Sequence, residues 1–205
     1  ILVFAFAPVY FGIIDGENAT VSLLLYVLIY RSLVRGEDRA AGIWAALGLF
    51  KPQLFFIFPL VFLATRRWRA LLTYALTALV LGAVSLALVG PAGLQSWVRV
   101  LVEPESSNAL ANAWRMTSLR SLFDLLLPHA TNLALGLYLA TSMLLLAPLI
   151  AMWVHRRTPL RQAWVLTSLT AVLVDPHIVD YDLTVLIAAG ISGAPSLRWW
   201  TALLY

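Results

Sequence analysis

The chain has 205 residues, 61% of them hydrophobic and 12% charged, with a mean hydropathy of +0.87. A soluble globular domain carries about 25% charged residues, so the composition excludes that class and points to a polytopic membrane protein, one helical unit long. There is no cysteine, which excludes a disulfide, a thiolate nucleophile and a zinc-thiolate site, and the net charge of +4 comes from arginines at the ends of apolar runs, where topology accounts for them without a nucleic-acid partner.

Ile1 to Phe11 is apolar but shorter than the about 20 residues a span needs, and predicts a helix end or an interfacial segment. No basic segment precedes it and the chain stops inside the apolar run Trp199 to Tyr205. The expectation is therefore no signal peptide and a piece of a longer chain, truncated at both ends. Asp15-Gly16-Glu17-Asn18 is a polar turn. Ala19 to Val34 predicts a span, closed by Arg31 and Arg35 and followed by Glu37, Asp38 and Arg39.

The stretch from Ala40 to Thr65 is apolar except for Lys51-Pro52-Gln53 near its middle, and Lys51 is the only lysine in the chain. An ammonium within hydrocarbon costs roughly 3 kcal/mol on insertion scales, so water, an anion or the membrane surface must compensate it. Pro52 removes a backbone donor and disfavours helix at Lys51. The stretch is either two short helices that dip in and return, with Lys51 at the tip, or one long kinked helix. Arg66, Arg67 and Arg69 close it.

Ala70 to Val89 predicts a span ended by Gly90-Pro91. The loop over residues 92–130 is expected to be extracytoplasmic and to carry interfacial helices at Gly93 to Val102 and Leu119 to Leu127, the second with Arg120 and Asp124 paired at i, i+4. Thr131 to Val154 is a full span closed by His155-Arg156-Arg157, and Leu160 to Val174 is a shorter one. Asp175-Pro176-His177-Ile178-Val179-Asp180-Tyr181-Asp182 is the most polar run of the second half, before a short span from Leu183. Arg198 and Trp199-Trp200 mark the next interface.

Charge decides between hairpin and single helix. With the Asp15 turn outside and a hairpin at Lys51, ten of the fourteen cations fall inside (Arg31, Arg35, Arg39, Arg66, Arg67, Arg69, Arg156, Arg157, Arg161, Arg198) and eight of the ten acids outside. A single helix would put Arg66-Arg67-Arg69 outside and violate the positive-inside rule. The predicted architecture is one all-α transmembrane domain over residues 1–205, a helical bundle with a broken short-helix hairpin.

The outer face then gathers Glu17, Asn18, Lys51, Gln53, Arg115, His177, Asp180 and Asp182. Lys51 and Arg115 suit a phosphate, one as a point charge and the other bidentately. Alternatively, Lys51 makes a structural salt bridge to Glu17 or Asp182. Glu17, Asn18, Gln53, His177, Asp180 and Asp182 are candidate substrate-binding residues that would orient hydroxyls or move protons. Asp180 and Asp182 are two apart, so at most one need face the site, and Asp180 also suits a helix N-cap. Asp175, before Pro176, suits a turn. No phosphate-loop, zinc-protease or serine-hydrolase motif is present, and no metal or cofactor is expected.

The order of these features resembles glycosyltransferase family 87, the GT-C class of polyprenyl-phosphate-mannose-dependent mannosyltransferases. The resemblance rests on Gly16-Glu17-Asn18 opening a span, Lys51-Pro52 after an apolar arm, Arg66-Arg67-Trp68-Arg69, Gly90-Pro91 before Trp97, Ser118-Leu119-x-x-Leu122, and Pro176-His177-x-x-Asp180-Tyr181-Asp182. It departs at Glu17, where the family has Gln, at Met116, where it often has Asn, and at Val179-Asp180-Tyr181, where it often has Trp-Asp-His. The resemblance implies an inverting hexosyltransferase of the cell membrane, with a polyprenyl-phosphate sugar as donor and a glycolipid or glycan acceptor on the extracytoplasmic face. It assigns Lys51 to the donor phosphate and puts the general base upstream of residue 1. A secondary transporter or lipid flippase, with the hairpin as gate, is the alternative, and a non-catalytic membrane scaffold a further one.

Overall fold

The computed structural model describes residues 6–102 and 116–193. Among them the chain is helical: α1 (Ala7–Ile14), α2 (Ala19–Arg35), α3 (Asp38–Leu47), a 3-10 turn (Gly48–Phe50), α4 (Pro52–Phe55), α5 (Ile57–Ala64), α6 (Trp68–Val102), α7 (Leu119–Leu126), α8 (Thr131–His155), α9 (Leu160–Val174), a second 3-10 segment (Asp180–Val185) and α10 (Leu186–Gly193). Two helices, over Trp68–Arg99 and Thr131–His155, are long and apolar enough to cross a membrane. The predicted spans over α2 and α9 have 17 and 15 residues, short of a perpendicular crossing.

The stretch around Lys51 is a hairpin. A straight helix over the 29 positions from Asp38 to Arg67 would separate them by about 43 Å. Instead Arg67 Nη1 lies 2.5 Å from Asp38 Oδ1, and Thr73 Oγ1 donates to the Arg39 carbonyl at 3.0 Å. Both arms therefore begin and end at one side. The turn at the far end is set by Lys51 itself, at φ −127° and ψ 70°, with Pro52 as the first residue of α4, a position where its missing N–H leaves nothing unpaired.

The core lies beneath that tip. Tyr26 of α2 is fully buried and packs edge-on against Phe55, Phe58 and Trp164, with ring centroids 5.2, 5.0 and 5.7 Å away. Its hydroxyl donates to the Leu54 carbonyl at 2.9 Å, tying α4 to α2. Helices α3 and α6 approach closely because of Gly42. A Cβ there would stand 2.2 Å from both the Ala70 carbonyl oxygen and Thr73 Oγ1, so any side chain would push the pair apart.

In α6 the helix breaks at Gly90, whose φ of 69° and ψ of 176° are open to glycine and strained for other residues. The expected end of the span at Gly90-Pro91 is there, and a second helix continues to Val102. On α7 the polarity is turned over: Leu122, Leu125 and Leu126 are exposed while Ser118 and Ser121 are buried. Ser118 caps this helix reciprocally with Ser121, and Arg120 Nε meets Asp124 Oδ2 at 2.7 Å as the spacing predicts.

The two ends of the bundle differ in charge. At one, Arg67 meets Asp38, Arg156 Nη2 donates to the Thr65 carbonyl, and Arg161 Nε donates to the Ser192 carbonyl. At the other are the Lys51 turn, the turn from Asp15 to Asn18 and the loop from Asp175 to Asp182. Helix α2 separates them by about 25 Å.

Candidate active site

Three chain segments remote in sequence meet around Lys51. The Pro52 break points the lysine out of the hairpin tip, and its Nζ lies 2.5 Å from Asp182 Oδ1. The ion pair is nearly closed from solvent, with side chains 12% and 7% exposed. The Lys51 ammonium also stands 5.0 Å from the ring centroid of Tyr181, a cation–π contact. Tyr181 in turn packs near α1, where its Cβ is 3.7 Å from the position a Gly12 Cβ would take.

The loop carrying Asp182 is fixed at its start. Asp175 follows the last turn of α9 and is 1% exposed. Its Oδ1 accepts the His177 backbone N–H at 2.8 Å, closing the turn expected before Pro176. Burial pushes the Asp175 carboxyl up to about 7; the His177 bond opposes this, the Asp182 charge adds to it, and Lys51 opposes it. Burial likewise raises Asp182, against the Lys51 hydrogen bond and charge, while the Glu17 charge raises it further. Further on, Met116 and Val179 form an antiparallel bridge, and Thr117 N donates to the Ile178 carbonyl at 3.1 Å. The two sequence departures at Met116 and Val179 thus face each other across one backbone pairing.

Of the predicted site residues, Lys51 and Asp182 touch directly. Glu17 is half-buried, and its charge bears on Asp182. Gln53 is half-buried next to the tip, and its Oε1 is buried with no hydrogen-bond donor among the described residues. Asn18 is exposed as the residue preceding α2 and makes no side-chain cap. His177 is exposed and joins the site through its backbone. Asp180 is held locally: its Oδ1 accepts the Tyr181 N–H at 2.9 Å, and Val179, not Asp180, precedes the 3-10 segment as its cap. Arg115 lies outside the described residues. Among those described, no three acidic or histidine side chains gather as a metal site. Sequence reasoning missed the burial of Asp175 and the placement of Tyr181 beside the ammonium. The signal for Tyr181 was its position between two acids, which brings its ring along when Asp182 reaches Lys51.

An ammonium has three donors, and Asp182 uses one. Among the described residues the other two have no hydrogen-bond acceptor, and the lysine side chain keeps 12% of its surface exposed. The site is therefore an oriented cation in a desolvated setting, the arrangement that stabilises charge on a leaving oxygen.

Fold and site define an all-helical protein with two helices of membrane-crossing length and a paired ammonium at one end. The model of glycosyltransferase family 87 matches residues 1–176 of the 205. The chain belongs to that family and is a glycosyltransferase. The match includes Lys51 and Asp175 and stops short of His177, Asp180 and Asp182. No curated protein and no solved structure matches the chain.

Proposed function

We propose that this glycosyltransferase moves a hexose, mannose in the first instance, from a polyprenyl-phosphate sugar to a glycolipid or glycan hydroxyl, with inversion. The acceptor oxygen attacks the anomeric carbon as the bond from that carbon to the phosphate oxygen breaks. The polyprenyl phosphate leaves with the electron pair, and the acceptor proton passes to a carboxylate base that the resemblance puts upstream of residue 1. Lys51 takes the charge developing on the phosphate, and Asp182 and the Tyr181 ring hold the ammonium in place. Gln53, whose buried Oε1 has no donor among the described residues, accepts a hydrogen bond from a sugar hydroxyl.

The observation that carries this reading is the Lys51–Asp182 contact at the tip of the hairpin, about 25 Å along α2 from the arginine end. By the positive-inside rule the arginine end is cytoplasmic, the domain is multi-pass and the lysine end is extracytoplasmic, where lipid-linked donors are used without nucleotide. Exposed leucines on α6 and α8 supply apolar walls for lipid tails.

The test is transfer by the full-length protein in proteoliposomes, with labelled polyprenyl-phosphate mannose and, separately, a nucleotide-linked mannose. Transfer from the lipid donor, with the anomeric configuration inverted by NMR, is expected. Transfer from the nucleotide sugar alone, or retention, overturns the proposal; movement of the lipid across the bilayer without transfer establishes the flippase instead.

A further inference from the structure

At the arginine end, a cavity of about 500 Å³ opens between the start of α3 and the start of α6, lined by Gly36, Glu37, Asp38, Arg39, Ala40 and Arg69. Both of its acids are already engaged by arginines outside the lining. Glu37 Oε1 is 4.0 Å from Arg35 Nη1, and Asp38 Oδ1 is 2.5 Å from Arg67 Nη1. Arg39 and Arg69 are left over. Among the described residues neither guanidinium has a hydrogen bond or an ion pair; the bonds at these positions, from Thr73, go to their backbone carbonyls. Two guanidinia without a partner among the described residues therefore share one concavity, and the close α3–α6 packing at Gly42 fixes the spacing of the two helices that carry them.

A second observation says what kind of anion fits. From the cavity mouth, Trp68, Leu72 and Leu76 run down α6 at i, i+4 and i+8, all exposed. That is one helix face, and it is apolar and unpartnered, beginning at a tryptophan of the sort that sits at headgroup level. A cationic recess above an apolar stripe matches an anionic headgroup with its acyl chains below it. We propose that this cavity binds the phosphate of an anionic phospholipid, with Arg39 and Arg69 on the headgroup and the Trp68–Leu72–Leu76 face along the chains. The site is independent of the Lys51 centre and lies at the other end of the bundle.

Native mass spectrometry of the full-length protein, titrated with phosphatidylglycerol or phosphatidylcholine, tests this. Phosphatidylglycerol is expected to be retained in preference. Arg39→Gln with Arg69→Gln should weaken its retention about 30-fold, two arginines each contributing roughly the surface value. Arg66→Gln with Arg157→Gln, arginines outside the cavity, should leave it within about twofold. Glu37→Gln frees Arg35 and should tighten binding severalfold, a gain that a folding defect does not produce. Equal loss in the two double variants, equal retention of the two lipids, or no gain in Glu37→Gln overturns the site. Complete competition by inorganic phosphate at equal concentration would assign it to a free anion and overturn the lipid.

Discussion

Replacing Lys51 by Met leaves the Asp182 carboxylate in a nearly closed site with no cation. Breaking a buried pair in this way costs about 3–5 kcal/mol. Here the loss has a ceiling, because the carboxyl can take up a proton instead. From its ordinary value of 3.8, protonation at pH 7 costs about 4 kcal/mol, and at pH 5.5 about 2 kcal/mol. Lys51→Met should therefore lose up to about 4 kcal/mol of stability at neutral pH and regain about half on acidification. Adding Asp182→Leu removes the stranded charge and should restore stability at both pH values. Transfer of sugar should stay abolished in the double variant, since the phosphate still lacks its cation. Thermal unfolding of the full-length protein, followed by tryptophan fluorescence at the two pH values, reads the first part; transfer from the lipid-linked donor reads the second. A pH-independent defect in Lys51→Met refutes the electrostatic account. Wild-type transfer by a folded Lys51→Met, Asp182→Leu protein refutes the role at the phosphate.

Asp175 is ionised less readily in the folded protein than in the unfolded chain, so the folded state holds the extra proton between its two values. Its contribution to stability is then fully present at and below about pH 4 and is lost, by up to about 4 kcal/mol, as pH rises to about 7; Asp175→Asn should flatten that limb of the unfolding profile. Tyr26→Phe strands the Leu54 carbonyl without its donor and should cost about 1–2 kcal/mol by the same unfolding measurement, with a raised KM for donor because the Lys51 turn is next to Leu54. Gly42→Ala forces α3 from α6 and should lose about 1–3 kcal/mol, whereas Gly82→Ala, with open space around it on α6, should be neutral or slightly stabilising.

Much of this was legible in the sequence because apolar runs, glycines and prolines are local signals. The bounds of α9, the break at Lys51-Pro52 and the end of a span at Gly90-Pro91 fall where the residues predict them. The hairpin was legible for a different reason: arginine placement is read along the chain, and the structure closes the two arms at Asp38 and Arg67. The alternative reading of Lys51, a structural salt bridge to Glu17 or Asp182, is realised with Asp182. What stayed hidden depends on packing between distant segments. Asp175 reads as a turn former and is one, but its burial, at 1% exposure, is set by the folded chain and not by the turn. Tyr26 reads as one more apolar-helix residue, yet its hydroxyl anchors the tip. Asp180 fits an N-cap by composition, and the chain instead uses its carboxylate one residue later, on Tyr181.

The pairing of Asp38 with Arg67 has an arithmetic side. An element that sets out from one end and comes back to it adds no net travel along the bundle axis. The helices after Arg67 therefore start from the same end they would if residues 38–67 were cut out and the ends rejoined. The hairpin sets a lysine at the far end without changing the odd or even count of passages that orients everything downstream.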